Sequence, residues 1–220
     1  AHNRRVYLPR GKVLGGSSSI NAMIYIRGHR ADYDGWRDAH GATGWGYDDV
    51  LPYFKKSEDN QTIRNELHGQ GGPLTVSDLR TDNPFQQHFL KAAEQVGYPR
   101  NNDFNGPEQE GVGLYQVTQR DGERCSAFKA YLQPHIGKRA NLRVETGAQT
   151  RRVLFEGKRA VGVEYRQGGE VKRLMARREV ILSAGAFQSP QLLQLSGIGN
   201  GPELQKLGIP VVHHLPGVGL

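Results

Sequence analysis

The chain has 220 residues, with 29 Lys and Arg against 22 Asp and Glu for a formal net charge of +7. Hydrophobic residues make up 36%, and no run approaches the roughly 18 apolar residues that span a bilayer, which excludes a transmembrane helix. A single cysteine excludes a disulfide framework and a cysteine-based zinc site and fits a reducing compartment, and 29 glycines without a three-residue period exclude collagen.

In chain order, residues 1–30 read as a short strand, a glycine-serine turn and an apolar segment over 20–26. Val50, Leu51 and Phe54 carry helical spacing within 31–60. The loop His68-Gly69-Gln70-Gly71-Gly72-Pro73 leads into a short strand, Leu74-Thr75-Val76. The next helix is well marked: Asn83 is a cap, Pro84 fits the first position, Phe85, Phe89, Leu90, Ala93 and Val96 form one face, and Gly97 stops it. Residues 98–124 are glycine-rich and irregular, a surface or cavity lining, and a helix is expected from Ser126 to Leu132.

Residues 142–183 change character. Strands are expected over 142–146, 152–155 and 160–165, with turns at 156–159 and 167–170, making an antiparallel meander. The run 179–186 is continuously apolar and ends in small residues, as a strand buried on both faces would be. Ser189-Pro190 then opens a helix over 191–196 stopped by Gly197, and a last helix over 202–207 closes at Gly208. Strand, small-residue turn and helix form one βα step of a nucleotide-binding fold.

The excess charge lies mostly in Arg151, Arg152, Lys158, Arg159, Arg166, Lys172, Arg173, Arg177 and Arg178. These alternate along strands or sit at turns, as on a solvated hairpin, and no nucleic-acid-binding motif accompanies them, so no nucleic-acid partner is expected. His213 and His214 are neighbours in a strand-like run and point to opposite faces, so they do not converge on one ion. His68 reads as a turn residue and Cys125 as an inert thiol before a helix start. Asp32 and Asp34 are two apart on a helix and do not face each other. No metal site is expected.

Two segments carry chemistry. In Arg10-Gly11-Lys12-Val13-Leu14-Gly15-Gly16-Ser17-Ser18-Ser19-Ile20-Asn21-Ala22-Met23, adjacent glycines let backbone approach a ligand that a Cβ would exclude. Successive N–H groups and serine hydroxyls can bind an anion, with Arg10 and Lys12 adding attraction. An ordinary glycine-serine loop would read the same way, and the segment is neither a P-loop nor a G-x-G-x-x-G fingerprint. In 185–199, small residues before a helix N-terminus match a cofactor crevice, or simply close strand–helix packing.

Together these segments resemble the two signatures of the glucose-methanol-choline (GMC) oxidoreductase family, over 11–34 and 185–199. Tyr25-Ile26-Arg27-Gly28-His29, His68-Gly69-Gln70-Gly71-Gly72-Pro73-Leu74, Tyr115-Gln116-Val117-Thr118-Gln119 and Arg124-Cys125-Ser126-Ala127 are similar to its branch of choline dehydrogenases and FAD-dependent alcohol dehydrogenases. The resemblance covers the whole chain. It implies an α/β fold, α+β overall: a Rossmann-like FAD-binding domain with an antiparallel meander, plus part of a substrate domain. The implied division is 1–73 and 125–220 for the FAD-binding domain and 74–124 for the substrate domain.

The resemblance further implies that FAD contacts Val13, Leu14, Gly15, Gly16, Ser17 and Ser18, with Asn21, Ala22 and Met23 beside the isoalloxazine edge, the Thr150 backbone at the adenine, and Ala184 near the same cofactor where a larger side chain would intrude. Some relatives carry a flavin-bonded histidine where this chain has Ile20, so FAD is expected to be non-covalent. The implied reaction is oxidation of a primary alcohol, choline-like, aliphatic or aryl, to the aldehyde, with hydride to flavin N5 and electrons to a quinone or dye. The family's pyrophosphate-binding G-x-G-x-x-G turn is missing, and its catalytic His, paired with a second His or Asn, is expected beyond Leu220. The chain is therefore expected to be an internal piece, inactive alone, from a cytoplasmic or inner-membrane-peripheral enzyme. An alcohol oxidase of the same family and a non-catalytic flavin-fold module are the rival readings.

Overall fold

The computed structural model describes residues 4–81 and 83–219, and the chain divides into two compact units, Ala1–Leu142 and Arg143–Leu220. In the first unit residues 4–12 form no strand, and Gly16–Ser19 wind into a single 3-10 turn. Helix α1 (Arg30–His40) starts where His29 Nδ1 accepts from the Ala31 N–H and Asp32 Oδ2 accepts from the His29 N–H, a reciprocal cap that satisfies two orphan donors. Helix α2 (Tyr47–Ser57) is bound to it through Asp34 Oδ1, which accepts from the Tyr47 N–H at 3.1 Å. Tyr33 packs edge-on against Trp36 and Phe54, with ring centroids 5.4 and 5.9 Å away.

Helix α2 runs directly into β1 (Glu58–Asn60), which pairs in parallel with β2 (Leu74–Val76). Strand β2 lies where the sequence predicts it. Its partner Glu-Asp-Asn has no β signal, because it enters the core through the hydrogen-bonding capacity of Glu58 and Asn60 rather than through apolar side chains. Helix α3 (Pro84–Gln95) begins as expected, with Asn83 Oδ1 accepting from the Phe85 N–H at 3.1 Å. Its expected inward face is not buried, however. Leu90 is 1% exposed, but Phe85, Phe89 and Val96 are 76%, 69% and 74% exposed.

Between 98 and 124 the chain is irregular, as predicted, except at its end. Val117 bridges both Ile24 and Ser77, and β3 (Gln119–Arg120) turns back into β4 (Glu123–Arg124). Asp121 and Gly122 both have positive φ, the requirement of the tight turn that matches strand twist. The predicted helix over 126–132 is a π-helical turn, Phe128–Leu132.

In the second unit β5 (Gln149–Glu156), β6 (Arg159–Gln167) and β7 (Glu170–Met175) form the predicted antiparallel meander. The strand expected over 142–146 is absent. Helix α4 (Gly185–Leu195) packs on β5: Ser196 Oγ accepts from the Val153 N–H at 2.8 Å and donates to the Leu192 carbonyl at 2.5 Å. The helix begins earlier than predicted and takes Pro190 into its interior. The predicted doubly buried strand over 179–186 is a correction: 179–183 are unpaired and Ile181 is 75% exposed, because no strand among the described residues lies beside it to complete the ladder. Strands β8 (Ile198–Gly199) and β9 (His213–His214) pair in parallel around α5 (Gly201–Lys206).

Candidate cofactor-binding site

The glycine turn is built by close approach. A Cβ on Gly11 would land on the Gly16 carbonyl, and Gly15 has φ 89°, a backbone that L side chains rarely adopt, with Phe128 backbone 3.2 Å from where its Cβ would be. Ser17 Oγ accepts from the Gly11 N–H at 3.3 Å, Ser18 Oγ donates to the Gly15 carbonyl at 2.5 Å and Ser19 Oγ donates to the Leu14 carbonyl at 2.8 Å. The serines therefore hold the turn's own shape. Gly16, at φ 56°, has open space where a Cβ would stand. Among the described residues the N–H groups of Leu14, Gly15 and Ala22 have no acceptor, and Val13, Leu14 and Ile20 are 57%, 40% and 50% exposed. Free donors, an open glycine and exposed apolar side chains fit a ligand that is both planar-apolar and rich in acceptors, as a flavin nucleotide is.

From Asn21 onward the chain is stitched to the 98–124 region. Asn21 Oδ1 accepts from the Met23 N–H at 3.0 Å, and Met23 takes φ 63°, unusual for a side chain of its size. The Met23 carbonyl accepts from the Thr118 N–H at 2.8 Å, and the Tyr25 N–H donates to the Gln116 carbonyl at 2.9 Å. Asn105 Oδ1 accepts from the Arg27 N–H at 2.8 Å while its Nδ2 donates to the Tyr25 carbonyl at 3.2 Å. Beside this segment lies a concave cavity of about 560 Å³ lined by Ile26, Gly28, Phe104, Gln109 and Tyr115.

Beneath the same segment is a buried ionic cluster. Arg27 Nη2 meets Glu58 Oε2 at 2.6 Å, and Nη1 donates to the Leu67 carbonyl at 2.8 Å. His68 stands between two carboxylates, Nδ1 2.8 Å from Glu58 Oε1 and Nε2 3.0 Å from Asp103 Oδ2. Both ring nitrogens then act as donors, so the imidazole is the charged form. Asn60 Nδ2 gives its two hydrogens to Glu58 Oε1 at 2.9 Å and Gln116 Oε1 at 2.8 Å, which leaves Nδ1 of His68 to Glu58. Burial works against the His68 charge, but hydrogen bonds to Asp103 and Glu58 outweigh it and raise the pKa to about 9. The Glu58 carboxyl is held below its ordinary range: burial opposes this, and hydrogen bonds from His68, the Gly69 N–H and Asn60 overcome it. Asp103 is lowered likewise, burial being outweighed by His68. Two cations and two anions make the cluster neutral, which is what permits its burial.

Sequence reasoning placed His68 in a turn, and its backbone is there, but its side chain is this cluster's centre. Arg27, Glu58, Asn60 and Asp103 were missed altogether, since nothing in their spacing distinguishes them from surface residues. The hairpin at Asp121-Gly122 did carry a readable turn signal.

In the second unit Thr150 is an exposed residue of β5, opposite Tyr165 and next to a register shift. Ala184 is the residue before α4, exposed, its N–H donating to Ser189 Oγ at 2.9 Å. His213 and His214 are both exposed in β9, and His214 Nδ1 accepts from the Gly201 N–H at 2.9 Å. Cys125 is buried and free. Among the described residues no His, Cys, Asp and Glu cluster is arranged for a metal, and no helix is long and apolar enough to cross a membrane.

Residues 1–219 match the family model described as GMC oxidoreductase, and the chain belongs to that family. It is 53% identical over 216 residues to the mitochondrial choline dehydrogenase of Homo sapiens, covering 98% of this chain and 36% of that protein. It is 50% identical over 219 residues to the oxygen-dependent choline dehydrogenase of Chromohalobacter salexigens, covering 99% and 39%. Among solved structures, an FAD-dependent oxidoreductase from Chaetomium thermophilum superposes with a TM-score of 0.90 at 34% identity, over 98% of this chain and 39% of that one. A pyridoxine 4-oxidase from Mesorbium loti does so at 0.87 and 36%, over 94% and 41%. The α/β fold expected from the sequence is that of these structures. The chain spans under two-fifths of the curated relatives named here.

Proposed function

We propose that this chain supplies the flavin-facing turn of an FAD-dependent enzyme that oxidises a primary alcohol, choline-like in the first instance, to its aldehyde. The observation that carries the reading is the turn over residues 13–22, where the N–H groups of Leu14, Gly15 and Ala22 have no acceptor among the described residues and Gly16 has open space where a Cβ would stand, which fits an acceptor-rich planar ligand. The two choline dehydrogenases at 50% and 53% identity support the substrate class. Bound FAD would supply the hydride acceptor. Val13, Leu14, Gly15, Gly16, Ser17 and Ser18 would bind it, Asn21, Ala22 and Met23 would orient its reacting edge, Thr150 would offer a backbone contact, and Ala184 would leave room where a larger side chain would intrude. Among the described residues His29 is committed to the α1 cap, His68 to Glu58 and Asp103, and His214 to the Gly201 N–H, so none of these three would take the proton of the alcohol.

Ile20 has no nitrogen to bond to a flavin, so the cofactor is held non-covalently in this reading. The test uses the flavoprotein carrying these residues. It should co-purify with FAD that acid precipitation releases entirely into the supernatant, and choline should drive dye reduction with a quinone-type acceptor. Flavin retained in the protein pellet would overturn the non-covalent assignment, and a protein with no flavin would overturn the whole reading. A pyridoxine 4-oxidase among the structural relatives favours oxidase chemistry as the second reading, which choline-dependent oxygen consumption without added acceptor would establish.

A further inference from the structure

We infer that Arg124 is a positioning residue of the glycine turn and acts through Asn21, an inference that rests on the flavin reading of residues 13–23. Arg124 ends β4, and its Nη1 donates to the Ser18 carbonyl at 3.1 Å and to Asn21 Oδ1 at 2.8 Å. One nitrogen with two hydrogens thus ties the 3-10 turn to the residue that follows it. The neighbouring Ala127 N–H donates to Ser18 Oγ at 2.8 Å, so the turn is held from the same side at two points.

The consequence falls on the Asn21 amide. Its oxygen and nitrogen are alike in shape, and only their partners decide which way round they lie. Arg124 Nη1 and the Met23 N–H both donate to one atom, which must therefore be the oxygen. Nδ2 is turned to the other side, where no acceptor among the described residues takes its hydrogens, and Asn21 is exposed. Two N–H donors beside the free Ala22 N–H suit an acceptor-bearing rim of a bound ring system. Arg124 has no carboxylate partner among the described residues to draw it away from Asn21. The Asp121-Gly122 turn and the Cys125 N–H to Thr118 carbonyl bond at 2.9 Å fix its strand.

The experiment measures FAD affinity of the reconstituted apoprotein, the visible flavin spectrum and thermal unfolding. The variants are Arg124→Ala, Arg124→Lys, Asn21→Ala, Asn21→Asp and the double alanine variant. Arg124→Ala should weaken FAD binding about tenfold and shift the visible band, as loss of a charge-assisted hydrogen bond would. Arg124→Lys should recover most of that loss. Asn21→Asp keeps the oxygen facing Arg124 but removes the outward donor, so it should keep the wild-type unfolding temperature and lose FAD affinity. The double alanine variant should lose no more than Asn21→Ala alone. Affinity within twofold of wild type in Arg124→Ala, full additivity in the double variant, or full affinity in Asn21→Asp would each overturn the inference. If Arg124→Ala does not fold, Arg124→Lys and Asn21→Asp decide alone. A wild-type protein without flavin overturns the flavin reading together with this one, whereas a loaded wild type with an unaffected Arg124→Ala overturns this one only.

Discussion

At the scale of single residues, the cluster around His68 brings four charged side chains together inside the first unit. Glu58 is completely buried and receives Arg27, His68, Asn60 and the Gly69 N–H together. Neutralising it leaves Arg27 and His68 without their common counter-charge. Glu58→Gln is expected to destabilise the unit by about 3–5 kcal/mol, the range for breaking a buried pair from one side, and denaturant unfolding measures it. A loss under about 1 kcal/mol would mean that water already screens the cluster. The glycine turn makes a second residue-scale prediction. Gly11→Ala forces a Cβ onto the Gly16 carbonyl, which is backbone and cannot move aside without opening the turn. Flavin retention should fall in this variant, whereas Ser19→Ala removes only one bond that braces the turn and should retain most of it.

At the scale of elements, local signals are legible where structure is local. The Asn83-Pro84 start of α3, strand β2 and the turns of the meander each depend on a few adjacent residues, and each lies where those residues put it. Burial is not a local property. The apolar row on α3 is legible as a row, but only Leu90 is fully buried, with Ala93 half-buried and Phe85, Phe89 and Val96 exposed. Replacing Phe85 and Phe89 together by Ser should therefore leave the unfolding midpoint within about 0.5 kcal/mol, the usual span for exposed positions. Asn83→Ala removes a cap and should cost about 1 kcal/mol. If the double serine variant proves the more damaging, that face is covered in solution.

At the scale of the whole molecule, pH dependence is the informative quantity. For pH, the His68 pKa rises on folding from 6.5 to about 9, so its stabilisation is complete below pH 6.5 and is lost as pH climbs through 9. Glu58 and Asp103 are lowered on folding, so theirs is present above the ordinary carboxylate range and is lost on acidification. The melting temperature should peak between about pH 4.5 and 6.5 and fall toward pH 9. His68→Gln should lower the peak and flatten the alkaline limb. An unchanged limb would show that other groups govern it.

The sequence alone determined the glycine turn, the capped helix and the meander, because each is written in neighbouring residues whose backbone preferences and spacing are sufficient, while the family came from the resemblance of two distant segments to known signatures. It also determined that Ile20 offers a flavin no bonding nitrogen. Tertiary structure alone decided that Arg27, Glu58, His68 and Asp103, spread over 77 positions of chain, form one neutral buried cluster. It alone set Arg124 against Asn21. Charged side chains carry no hydrophobic period to betray burial, and a pair of opposite charges becomes legible only when folding closes the distance between them.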